Sequence, residues 1–177
     1  MRLFTAIPFP QELKDLARDF FHGRLPVAYV NTDNLHITLN FIGEVEDSRL
    51  DQAKEVCRGA VDGRKGFPLE FMSVVKFHQQ LHLTVAENPE LSLLQRDLEA
   101  ALGKAGFRFQ ERQYYPHVKL ANLHMDKVMS KHRIENISRG ELEKLSFHAD
   151  RVALFSSKLL MHHAQHVVEE EYILANQ

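Results

Sequence analysis

Two short runs, Leu35-His36-Ile37-Thr38-Leu39 and Pro116-His117-Val118-Lys119-Leu120, lie 81 positions apart and constrain this chain more than any other feature. Each alternates polar with apolar residues, and in a strand successive side chains point to opposite faces. His36 and Thr38 therefore share one face, and Leu35, Ile37, Leu39 and Phe41 the other. His117 and Lys119 oppose Val118 and Leu120 in the same way. Each run follows a helical pattern and a short connection, and the separation is close to half of the 177 residues. The echo is consistent with two similar lobes sharing one cleft.

The remaining periodicity supplies the frame. Residues 2 to 9 read as a strand, and Pro10 starts a helix whose Leu13, Leu16, Ala17, Phe20 and Phe21 recur at helical spacing. A second helix follows Ser48. A third is announced by Asn88-Pro89, carries Leu91, Leu94, Leu98, Ala101, Leu102 and Ala105 on one side, and is closed by Gly106. Strand-like runs cover 35–42, 67–75, 81–86, 117–123, 145–147, 152–160 and 166–174. Neighbours such as 67–75 and 81–86 are joined too briefly for a parallel crossover. The class is α+β with mainly antiparallel sheet, and no linker divides residues 1–177 into separate domains.

Composition narrows the function classes. A net charge of -2 and a pI near 6.6 argue against coating long nucleic acids, which needs many Lys and Arg on one surface. A short or terminal nucleotide remains open. No run approaches the roughly eighteen apolar residues of a membrane span, and the opening residues are too briefly apolar for a signal peptide, so a cytoplasmic protein is expected. The absence of a heptad pattern points to a monomer. Cys57, the single cysteine, falls on the apolar side of the second helix and reads as core.

Two imidazoles on facing strands suit phosphodiester cleavage without a metal. That reaction needs a base for water, an acid for the departing sugar oxygen, and donors for the non-bridging oxygens. Imidazole can take either proton role, and Thr38 offers a hydroxyl beside one of them. Pattern alone does not choose the pair, because Leu81-His82-Leu83-Thr84-Val85 also reads His-x-Thr in an alternating strand. A metal reading rests on His162, His163 and His166, with Glu169, Glu170 and Glu171 behind them. A polar hairpin loop followed by a solvated strand edge is the simpler account of that segment. Arg24, Lys76 and Arg112 with Phe77 and Tyr115 are candidates to line a cleft, whereas Phe4 and Phe9 read as core.

Asn34-Leu35-His36-Ile37-Thr38-Leu39-Asn40-Phe41-Ile42-Gly43-Glu44-Val45, the opening Arg2-Leu3-Phe4-Thr5-Ala6-Ile7, and Leu154-Phe155-Ser156-Ser157 together resemble the two-histidine (2H) phosphoesterases. Within these, the resemblance is to the bacterial and archaeal RNA 2′,3′-cyclic phosphodiesterases once called 2′-5′ RNA ligases. It runs nearly end to end and implies two pseudo-symmetric lobes, helices on the outer faces and a central cleft. It selects Pro116-His117 over His82 as the second motif and leaves His82 at the cleft border.

By this resemblance His36 is the proton donor, His117 the proton acceptor, and Thr38 and Lys119 hold the phosphate oxygens. The substrate would be an RNA end or a small cyclic nucleotide phosphate, with no metal or cofactor. The second motif departs from the pattern: Lys119 stands where Thr or Ser is expected and Asn122 where relatives often carry Arg. Either the Lys119 ammonium replaces both groups and keeps His117 neutral, or the chain binds nucleotides with little turnover. A 2′-5′ oligonucleotide phosphodiesterase or ligase is a further alternative.

Overall fold

The computed structural model describes residues 1–21, 27–109, 113–123, 137–159 and 164–176. Helix α3, Pro89–Lys104, shows how local signals become structure: the Asn88 side chain accepts from the Leu91 N–H, and Pro89 takes an N-terminal position that needs no donor. Gly106, at φ +83°, follows its C-terminus. Leu91, Leu94, Leu98 and Leu102 are each buried, a stripe in which every side chain contributes roughly 1.5–3 kcal/mol against exposure. Helices α1 (Gln11–Phe21) and α2 (Leu50–Val61) also form on the expected patterns, and Cys57 is fully buried in α2.

The helices accompany a sheet of eight strands. Its main path runs β10 (Ala164–Ile173), β9 (Arg151–Leu159), β1 (Arg2–Pro8), β3 (His36–Glu44), β7 (His117–Asn122), β6 (Gln80–Val85) and β5 (Phe71–Phe77), with β2 (Ala28–Tyr29) paired to β7. Its ladders are antiparallel. The α+β, mainly antiparallel expectation therefore holds.

Two strand boundaries differ from the sequence reading. The run 67–75 splits into β4 (Phe67–Leu69) and β5, because Pro68 has no N–H for an inner strand and belongs to a separate two-stranded ladder with β8 (Phe147–Ala149). Leu145 ends a 3-10 turn, Glu143–Leu145, and the strand starts only at Phe147.

Phe41 is a more consequential difference. It was expected on the inward face with Leu39, yet it is 50% exposed. Ala6 pairs with Thr38 and Thr5 with Asn40, so Leu39 has no partner on β1. One extra residue reverses the alternation beyond it. Asn40 then turns inward, bonding Thr5 and the Gln95 carbonyl, while Phe41 turns outward. The second motif repeats the device: His82 pairs with Lys119 and Leu81 with Ala121, leaving Leu120 unpaired.

Both faces of β1 and β9 are packed. Leu3, Ile7, Val152 and Leu154 join the main core with the helices. Phe4, Ala6, Ala153 and Phe155 form a second, smaller cluster. By strand alternation that cluster lies on the face that carries His36.

Candidate active site

β3 and β7 meet through one antiparallel pair, Ile37 opposite Val118. In an antiparallel ladder this sets His36 on the Lys119 side of the seam and Thr38 on the His117 side. The inward Ile37 and Val118 are 0% and 1% exposed, anchoring the seam from below.

The same bond orients both rings. His36 Nδ1–H donates to the Asn34 carbonyl at 2.6 Å, and His117 Nδ1–H donates to the Tyr115 carbonyl at 2.8 Å, in each case two residues back. A carbonyl only accepts, so Nδ1 carries the hydrogen and Nε2 is left for chemistry. His36 Nε2 lies 3.1 Å from Thr38 Oγ1. Thr38 and His117 border a cavity of about 620 Å³ whose walls include Phe41, Phe77 and Tyr115. His36 borders a second cavity of about 520 Å³ with His166 and Phe155. Thr38, bonded to His36 and bordering the first cavity, links the two.

Each ring rests on an aromatic support. Phe4, Phe155 and His166 surround His36 at centroid distances of 5.0, 5.9 and 5.3 Å. His117 stacks on His82 at 3.9 Å, with Tyr115 at 5.3 Å. Burial, which penalises the imidazolium, pushes His36 down to about 4; the bond to Asn34 opposes this, and His166, His117 and Lys119 add to the lowering. His117 is also lowered, first by burial and then by Lys119, against the bond to Tyr115. Burial lowers the Lys119 ammonium as well. Lys119 does disfavour charge on His117, as the sequence suggested, but desolvation is the larger cause.

The seam thus brings an ammonium, a hydroxyl and two imidazoles onto adjacent strands, groups of the kind that donate to an anion and transfer protons. A family model described as the 2′-5′ RNA ligase superfamily matches residues 8–159. The chain belongs to the 2′-5′ RNA ligase superfamily, the 2H phosphoesterases. An RNA 2′,3′-cyclic phosphodiesterase of Methanothermobacter thermautotrophicus is 30% identical over 132 residues, covering 70% of this chain and 71% of that protein. Its Thermotoga maritima namesake is 28% identical over 173 residues, 90% and 88% of the two chains. In fold, this 2H phosphoesterase is similar to E. coli LigT in its apo form, with TM-score 0.79, 20% identity and coverage of 98% and 96%. A structure described as a phosphoesterase superposes with TM-score 0.80 at 22% identity, covering 98% and 97%.

For this family member the four site residues named from sequence all lie at the β3–β7 seam. His82 borders it as expected and is only 2% exposed. Phe9 is in the main core; Phe4 is buried too, but beneath His36. Phe77 and Tyr115 reach the first cavity, while Lys76 is exposed on β5 and does not border it. Arg24, Arg112, His162 and His163 lie outside the described residues. Among the described residues no three His, Cys, Asp or Glu side chains form a group that could hold a metal, and no helix is long and apolar enough to cross a membrane.

Sequence reasoning missed the roles of Phe155 and Tyr114 and weighed His166 as part of a polar hairpin loop or, less simply, a metal cluster. His166 lies on β10, paired with Ser157 of β9, its ring against His36. Tyr114 O–H donates to the Thr38 carbonyl at 3.3 Å, bracing β3 from a segment without alternation. The acidic run 169–171 does lie on the outermost strand, where Glu169 accepts from Ser156 and Glu170 and Glu171 pair with Arg58 and Arg151.

Proposed function

We propose that this chain hydrolyses RNA 2′,3′-cyclic phosphate ends to 2′-phosphomonoesters. The observation that carries the reading is the matched pair of imidazoles, each with Nδ1 tied to the carbonyl two residues back and Nε2 left for chemistry. The names of the curated relatives agree with it, as do the structures of E. coli LigT complexed with phosphate and with 3′-AMP.

In this mechanism His117 Nε2 takes a proton from water as the water oxygen bonds to phosphorus. The bond from phosphorus to the 3′ oxygen breaks, and that oxygen takes the proton of His36. The product carries a 2′-phosphate and a free 3′-hydroxyl. Thr38 Oγ1 and Lys119 Nζ hold the non-bridging oxygens, with the ammonium offsetting charge as it grows on them. All roles fall to side chains, so chelators leave activity intact.

The acid must arrive charged although His36, lowered to about 4, is neutral at neutral pH before substrate binds. The bound phosphate anion supplies the correction: it stabilises the imidazolium and screens His36 from Lys119. Substrate binding thereby loads the proton that the leaving oxygen needs.

The test is an oligonucleotide ending in a 2′,3′-cyclic phosphate, with the position of the product phosphate determined. Removing one proton-transfer group costs about 10²–10⁴-fold, so His36→Ala and His117→Ala each reduce kcat by at least about 10²-fold. Wild-type turnover in either variant would overturn the reading. If the wild type binds the oligonucleotide without turnover, and His117→Ala only weakens that binding, the chain is a nucleotide-binding relative.

A further inference from the structure

The His-x-Thr sequence at His82 has no role in the reaction just described, yet its ring makes the tightest aromatic contact at the seam. His82 and His117 stack with centroids 3.9 Å apart and planes inclined by 17°. Building on the two-histidine reading, we infer that His82 is a positioning residue for His117, fixing the plane in which that base meets the phosphorus.

Comparison of the two halves isolates the feature. In the first, Pro8, Ile7 and Ala6 pair with His36, Ile37 and Thr38; in the second, Thr84, Leu83 and His82 pair with His117, Val118 and Lys119. His82 therefore occupies the place of Ala6. Beneath His36 the floor is apolar, made by Phe4 and Phe155, whereas His117 rests on an imidazole that is itself held in place. His82 Nε2–H donates to Gln80 Oε1 at 2.8 Å, and Phe77 stacks on the ring at 5.5 Å. Among the described residues its buried Nδ1 has no hydrogen-bond partner, a cost that packing alone does not repay.

The groups facing His82 define its charge. From β7 come His117 and Lys119, and from the segment before it, further out, Tyr115; from β5 come Val75 and Phe77; on its own strand are Gln80 and Thr84. Burial first, then His117 and Lys119, hold it down to about 4. Two stacked imidazolium rings repel, so the pair carries one positive charge at most near neutrality. With His82 the more buried ring, the proton removed from water stays on His117 until product leaves and solvent takes it. The ring thus serves as a flat, uncharged backing for a base that becomes a cation.

Two substitutions separate this role from simple filling. His82→Phe keeps a planar ring, and His82→Leu keeps apolar bulk without one. Misplacing a reacting group by a fraction of an ångström is costly, so His82→Leu should lower kcat about tenfold with KM changed less than about twofold. His82→Phe should restore kcat to within about threefold of wild type. An NMR titration of the His117 ring with inorganic phosphate reads the same geometry without turnover. Phosphate should raise its pKa equally in the wild type and His82→Phe, and by about half as much or less in His82→Leu. Wild-type kcat together with a wild-type phosphate response in His82→Leu would overturn the inference and leave the two-histidine reading standing. Full turnover by His117→Ala would overturn that reading instead, and the phosphate titration would still decide the role of His82.

Discussion

His36 and Lys119 stand on the same side of the β3–β7 seam, because Ile37 is opposite Val118 and the strands run antiparallel. The residue that departs from the second motif is thus set against the first histidine as well as following the second. Its charge acts on both rings, lowering His36 and His117 alike.

Lys119 therefore has a measurable electrostatic role. Loss of one well-placed donor to a developing oxyanion costs about 10²–10³-fold, so Lys119→Ala should reduce kcat by about 10²-fold. Lys119→Thr, which restores a hydroxyl without the charge, should fall between the two. Full activity in Lys119→Ala would show that the ammonium does not replace the missing groups. Thr38→Ala should cost a similar factor, since it removes the hydroxyl 3.1 Å from His36 Nε2.

The pH profile follows from the direction of the shifts. With His36 at about 4 and His117 also lowered, the free enzyme has its acid and base both on the acidic side of 6.5. The bell in kcat/KM should peak below pH 6.5, while the bell in kcat moves to higher pH because bound phosphate stabilises the imidazolium. A kcat/KM optimum above pH 8 would contradict the assignment.

Proton uptake should accompany anion binding. Calorimetry of inorganic phosphate binding near pH 6 to 7, repeated in buffers of different ionisation heat, should show net proton uptake in the wild type. His36→Ala should lose most of it. Proton-neutral binding in the wild type would mean that the acid is not loaded by the phosphate.

Acid should destabilise the empty protein in a defined window. His36 and His82 both lie at about 4 when folded and near 6.5 when unfolded, so between these values the unfolded chain binds more protons. Their full contribution to stability is present above pH 6.5 and is lost as pH falls from there toward about 4. The Tm should fall over that interval, and less steeply in His82→Phe, which has no imidazole to charge.

Cys57 should be inert in the native state. It is fully buried, and burial pushes its thiol up to about 12. A thiol reagent at pH 8 should label it only on denaturation; rapid native labelling would show that α2 opens.

Alternation carried much of this site into the sequence. His36, Thr38, His117 and Lys119 could be assigned to matching strand faces from their neighbours alone, because a buried strand face demands an apolar residue at every second position. The helices were equally legible where Asn88-Pro89 and a leucine stripe gave start and side together. Phe41 was misassigned because the extra residue at Leu39 reverses alternation without leaving any local chemical mark. His166 was hidden for a different reason: its importance comes from lying against His36, 130 positions away in the chain.

The sequence by itself determined which residues could face a common cleft, since side-chain periodicity is a property of the strand. Only the tertiary structure decided that β3 and β7 are neighbours, that the Lys119 charge acts on His36 across them, and that His82 lies flat on His117. Those relationships depend on strand pairing and on the desolvation that packing imposes, and neither is encoded in the spacing of residues along one strand.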